Sequence, residues 1–231
     1  MTFSDDFTIG SMEELIDAID ELGFVPFFEN EIRGFSIEEH IADGCWYDDY
    51  GDGGFWPAWE WKGPVVRTTK CAYGKFLRGK AMYISPKWFS DFANYRRDGY
   101  DFDARYDDGL ASFYDKELYE LLDAHAPILS KELKQVGGYG KNGRKGFDTM
   151  ITRLQKQCYV VVSDFRYAKD KFGNEYGWGI AEYSTPEKFM GKKFSNAVYK
   201  RSPEESYARI LKHFRKILPD ADPKAIERIL K

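Results

Sequence analysis

Apolar side chains at helical spacing open the chain. Met12, Leu15, Ile16, Ile19 and Leu22 share one face, Ser11 with Glu14 reads as a capping box, and Gly23 stands where the helix ends. Phe24-Val25-Pro26-Phe27-Phe28 follows as an unbroken apolar run, and Ser36 with Glu39 marks a second short helix. Residues 43–64, rich in Gly, Asp and Trp, read as a packed irregular loop. Val65–Thr69 and Lys80–Ile84 read as strands. Ser85-Pro86 opens a helix reaching about Asn94, with Pro at its first position, and residues 95–112 are turn-rich and charged.

The second half has a clearer rhythm. Residues 115–125 form an acidic helix with Leu118, Leu121 and Leu122 inward, and Pro127 breaks the chain after it. A helix over 130–136 ends at Gly137-Gly138, and the basic turn GGYGKNGRKG leads into FDTMITRLQKQ. There Phe147, Met150, Ile151, Leu154 and Cys158 fall on one side, and Thr149, Thr152, Arg153 and Lys156 on the other. Two runs rich in β-branched and aromatic residues, CYVVVSDFRY and EYGWGIAEY, joined by AKDKFGN, predict a hairpin, which Pro186 closes.

Helix, helix, turn, helix and ribbon is the outline of a winged helix, whose third helix enters the DNA major groove. The expected fold is α+β: a winged-helix subdomain over 114–190 packed against an aromatic-rich α+β subdomain over 1–113, with a helical cap over 191–231. In the cap, Tyr207, Ile210, Leu211 and Phe214 form an apolar stripe that packs inward or supports a homodimer or another protein partner.

Charge sharpens this outline. The net charge of the 231 residues is −4, but residues 1–130 carry 26 acidic and 12 basic side chains, and residues 131–231 carry 12 and 22. Such asymmetry points either to a polyanionic partner or to two halves that neutralise each other. Residues 131–171 hold 10 basic against 4 acidic side chains. The residues expected to meet duplex DNA are therefore Lys145, Thr149, Thr152, Arg153 and Lys156, with Arg166, Lys169 and Lys171 on the hairpin. The alternative for the same face is a solvated basic surface on a protein-docking module.

Aromatic residues number 40, and 17 of them lie within 46–106, with five of the six tryptophans. A dense core is one reading. A ligand pocket built from Trp46, Trp56, Trp59, Trp61, Tyr73 and Lys75 is the other. The run Trp59-Glu60-Trp61-Lys62 sets acid and amine among rings, as a pocket or a buried ion pair. Arg96–Arg105 reads as a salt-bridged loop.

Other chemistry is excluded or left without support. His40, His125 and His213 lack metal-ligand spacing. GGYGKNGRKG lacks the preceding strand and the Lys-Ser/Thr of a phosphate-binding loop. Asp48, Asp49, Asp52, Asp107 and Asp108 fit no calcium loop. No cofactor or metal is expected. No apolar run approaches the ~20 residues of a membrane span, the N-terminus lacks a secretory h-region, and Cys45, Cys71 and Cys158 suit a reducing cytoplasm.

The run from about Glu117 to Glu187, carried by LSKELKQ, KGFDTMITRLQKQCYVVVSDF and GWGIAEYSTPE, resembles the winged-helix module of the AlkZ/YcaQ-type alkylpurine DNA glycosylases. LGFVPFFENEIRGFSIEE and PAWEWKGPV extend the resemblance to short bacterial proteins related to that family. It implies a scaffold of proteins that excise alkylated bases. Their catalytic Gln-x-Asp or Gln-x-Gln follows the first helix and a Leu-Gly. After Leu22-Gly23 this chain has Pro26 and Phe28 at the matching positions, and neither can orient a water. Gln155-x-Gln157 occurs in the wrong element, so Glu29, Glu31 and Glu60 are the acid–base candidates that remain. Three functions follow as expectations: a winged-helix DNA-binding protein without standard glycosylase activity, a glycosylase-like enzyme acting on a flipped or damaged base, or a non-enzymatic module for protein interaction or small-molecule sensing.

Overall fold

The computed structural model describes every residue except Asp5, residues 47–55 and Asn174, with Glu175 and Tyr176 described by backbone only. Asp48, Asp49 and Asp52 therefore lie outside the described residues. The first helix, α1 (Met12–Leu22), begins on the Ser11 cap and stops at Gly23, whose φ of 77° suits a residue without a Cβ. It buries Leu15, Ala18, Ile19 and Leu22, and strand β1 (Phe24–Pro26) follows with all three residues buried.

Helices α2 (Pro57–Glu60) and α3 (Lys62–Thr69) come next. The strand expected at Val65–Thr69 is a helix. Its β-branched residues favour strands only weakly, and the turn begun at Pro57 carries on, burying Val65 and Val66. Pro64 sits in the first turn of α3, where its missing N–H has no intrahelical partner to lose. Ser36 and Glu39 make their capping contacts, Ser36 Oγ to Glu39 Oε2 at 2.7 Å and Glu39 N to Ser36 Oγ at 3.3 Å, but only turns form there.

Strands β2 (Ala72–Leu77) and β3 (Lys80–Ile84) form a hairpin, and α4 (Pro86–Arg97) runs three residues past its expected end to the left-handed Asp98. Within the turn-rich stretch, Asp101 caps a short α5 (Phe102–Asp107). Then come α6 (Phe113–His125), β4 (Ile128–Leu129), α7 (Ser130–Val136), α8 (Phe147–Lys156), β5 (Val161–Lys169) and β6 (Glu175–Ser184). Pro186 opens α9 (Pro186–Met190) rather than merely closing the hairpin, and α10 (Lys192–Ser195) follows. α11 (Pro203–Ile217) starts on a full capping box of Ser202 and Glu205, and α12 (Pro223–Leu230) starts on Asp222.

The protein is mixed α+β. Among the described residues, the strands form a six-stranded sheet in the order β1-β3-β2-β5-β6-β4, with antiparallel pairing throughout. Tyr73 on β2 pairs with Val162 on β5, so the sheet runs across the boundary expected at residue 113. β4 returns to pair with β6 through Ile128–Tyr183 and Leu129–Glu182.

Arg97, 1 % exposed, helps tie these parts together. Its guanidinium donates to Glu187 Oε1 at 2.7 Å, the Tyr199 hydroxyl at 2.9 Å and the Cys158 carbonyl at 2.8 Å. Among the described residues, no helix is long and apolar enough to cross a membrane.

Candidate functional site

Helix α8 is strongly two-faced. Phe147, Met150, Ile151 and Leu154 are buried, Thr149 and Lys156 are exposed, and Thr152 and Arg153 are half-buried. The expected opposition of apolar and polar sides is present, but Arg153 does not reach freely into solvent. Its Nε and Nη2 grip both oxygens of Asp115 on α6, at 2.9 and 2.5 Å, and Asp115 is nearly buried. Arg144, in the preceding turn, is likewise engaged by Glu117 at 2.5 Å, and Lys134 reaches Asp148 at 3.0 Å. The acidic first half thus supplies carboxylates to both arginines on this side. Lys145 is exposed, and Lys156 lies near the Gly79 turn between β2 and β3.

On the hairpin, Arg166 leans on Asp164 (3.3 Å) and Glu182 (3.5 Å). Lys169 and Lys171 stand exposed at the tip. Lys171 lies 4.9 Å from the ring centroid of Phe172, an apolar side chain 78 % exposed.

The aromatic residues divide. Trp46, Trp56 and Trp59 line a cavity of about 340 Å³ together with Phe27, Phe28 and Trp178. Trp59 meets Trp178 edge-on at 5.7 Å and Phe27 edge-on at 5.7 Å, so the walls brace one another. Trp61, Tyr73 and Lys75 do not line it. Trp61 is half-buried against the core, and Tyr73 is buried in the sheet, 4.6 Å from Tyr83. Lys75 is exposed on β2, and its backbone N–H donates to buried Gln155 at 3.0 Å. That bond gives Gln155 a structural role.

Phe27, Phe28 and Trp178 are the wall residues that sequence reasoning missed as such. Trp178 had a usable signal in the sequence, a lone tryptophan between Gly177 and Gly179, away from the other five.

Beside this cavity lies Lys62, 2 % exposed. Its Nζ is 2.9 Å from the ring centroid of Trp59, 4.5 Å from that of Phe165 and 5.8 Å from that of Phe27. Between a ligand pocket and a buried ion pair, the geometry gives an amine held on π faces. Burial pulls its pKa from 10.5 down to about 7, against the opposing pull of Glu60.

The other acid–base candidates lie apart from this cavity. Glu29 lines a separate polar cleft with Arg33 and His40, and Glu31 is paired with Arg78 and lies 3.5 Å from Arg228. Among the described residues, no three His, Cys, Asp or Glu side chains group as a metal site would require.

The AlkZ-related family model matches residues 9–231, nearly the whole length. This chain belongs to the AlkZ-related family. No curated protein and no solved structure matches it. In this AlkZ-related protein, Pro26 lies on β1 and Phe28 stands in the aromatic wall.

Proposed function

We propose that this AlkZ-related protein binds duplex DNA through a winged-helix unit and lacks the standard glycosylase reaction. The observation that carries this reading is the return of β4 to pair with β6, following α6 and flanking α7 and α8. Helix, strand, helix, helix and hairpin follow one another in the order a winged helix requires, with α8 as the third helix. The exposed Lys145, Thr149 and Lys156, with Lys169 and Lys171 on the hairpin, form its DNA side. Arg153 acts from its clamp on Asp115 and positions α8 against α6. Pro26 and Phe28 offer neither a base nor a hydrogen-bond donor to a departing purine. The unpaired cysteines, with Cys71 and Cys158 fully buried as thiols, favour a reducing cytoplasm.

The test is fluorescence anisotropy with a labelled duplex at several salt concentrations. Binding should weaken linearly in log–log form as salt rises, and Lys145→Ala with Lys156→Ala should flatten that slope by up to about two. No binding at low salt would refute the reading.

A second reading, base recognition with chemistry, is favoured by one specific observation. Among the described residues, six aromatic side chains wall this cavity, the setting that holds an extruded base by stacking. Its test is an excision assay over a panel of alkylated oligonucleotides, with Trp59→Ala as the control. Inactivity of the wild-type protein across the panel would leave only the binding reading.

A further inference from the structure

Two adjoining clefts carry a charge pattern unlike that of α8. One, of about 310 Å³, is walled by Arg67, Lys70, Arg166 and Lys188, with Asp164 and Glu182 at its base. The other, of about 500 Å³, is walled by Lys70, Lys87, Lys193, Arg201 and Arg209, with Asp91. Lys70, just past α3, lines both and joins them into one groove. Among the described residues, eight cations and three carboxylates line it.

Those carboxylates do not cancel the groove's charge. Asp164, 3 % exposed, accepts from Arg67 and holds Arg166 at 3.3 Å. Asp91, 5 % exposed, takes Arg201 at 3.1 Å on one oxygen and Arg209 at 3.0 Å on the other. Each buried acid thus poses two guanidiniums, whose side chains remain 42–60 % exposed. Lys70, Lys87 and Lys193 have no carboxylate within ion-pair distance among the described residues. Lys188 is shared with Asp123 at 3.3 Å.

We infer that this groove holds the phosphodiester backbone of a nucleic acid, and that it supplies more ionic contacts than the exposed side of α8. The inference rests on the reading that the partner is DNA. Planar guanidiniums fixed from beneath suit phosphate oxygens better than they suit scattered carboxylates on a peptide. Helix α3 adds a second argument. Lys62 at its start touches the wall of the aromatic cavity, and Arg67 and Thr69 at its end line the groove. The two ends are about 10 Å apart along the helix axis. Backbone-type and base-type chemistry therefore sit at opposite ends of one short helix.

The test compares the full-length protein with two variants by anisotropy, using a labelled duplex and its single strand over a salt series. Lys70→Ala with Lys87→Ala and Lys193→Ala removes three exposed charges and no ion pair. It should lower affinity at least about tenfold and reduce the salt slope by nearly three. Lys145→Ala with Lys156→Ala should lose less on both measures. As a further check, Asp91→Asn makes the groove more positive yet should weaken binding, because Arg201 and Arg209 lose their anchor. Wild-type affinity in the triple variant, with loss confined to the α8 variant, would overturn the groove and keep the winged-helix reading. Displacement by poly-glutamate as readily as by DNA would assign the groove to an acidic protein segment and overturn it too. Absence of wild-type binding at low salt would sink both.

Discussion

The side of α8 and the groove beyond α3 are both rich in arginine, and both contain carboxylates, yet they differ in how the two are combined. Around α8, pairing is one to one: Arg153 with Asp115, Arg144 with Glu117, Lys134 with Asp148. In the groove one buried acid orients two arginines, and Lys70, Lys87 and Lys193 have no carboxylate partner among the described residues, while Lys188 is shared with Asp123. A local count of charges therefore misleads. The excess of 10 basic over 4 acidic residues across 131–171 is real, but acids from α6 meet its arginines in space. Surface potential follows the pairing stoichiometry and the burial of each acid more than the composition of a segment.

The largest way to break this contrast is Arg97→Ala. Arg97 joins α4, a wall of the groove, to Glu187 on α9 and to the Cys158 carbonyl just past α8. Its loss leaves a buried partner network open, and stability to urea should fall by about 3–5 kcal/mol. A fall below ~1 kcal/mol would show that the two regions are held together by other means.

Next in size is the pH response of Lys62. Its folded pKa near 7 lies below the unfolded value of 10.5, so between these values the unfolded chain binds the extra proton. Stability should then rise with pH from about 7 toward 10, by up to ~1.4 kcal/mol per pH unit from this group. Lys62→Met should flatten that rise while leaving salt-dependent DNA binding unchanged. A concurrent loss of binding would mean that the two ends of α3 do not act separately.

A smaller effect tests the neutralised side directly. Asp115→Asn releases Arg153 from its clamp, at a cost to stability of about 1–3 kcal/mol for the lost charged hydrogen bonds. Duplex affinity measured at low salt should rise severalfold as α8 gains a charge. If it falls, α8 needs the clamp to hold its pose more than it needs the charge.

The smallest effect is expected at the Lys134–Asp148 pair, whose side chains are 40 % and 83 % exposed. Lys134→Ala should change the denaturation midpoint by less than ~0.5 kcal/mol and leave DNA affinity within twofold. A larger change in affinity would place the end of α7 in the interface.

Much of the local structure was legible along the chain. Ser11 announced a helix through short-range capping, and the two-faced pattern of 147–156 is observed in α8. Legibility failed where tertiary packing overrode a weak preference, as at Val65–Thr69, and where a capping contact formed without a helix behind it, at Ser36. The site was half legible. Trp46, Trp56 and Trp59 meet in one cavity, but its remaining walls come from the β1 exit and from Trp178 on β6, far away in sequence.

Sequence alone determined the caps, the apolar faces, the surplus of cations after residue 130 and the family to which the chain belongs. Tertiary structure alone decided which cation meets which acid. Arg153 finds Asp115 across 38 residues, Arg67 finds Asp164 across 97, and Arg209 finds Asp91 across 118. The physical reason is one of range. Capping and periodicity act within one or two helical turns, whereas an ion pair depends on through-space distance and on the burial that removes water from it.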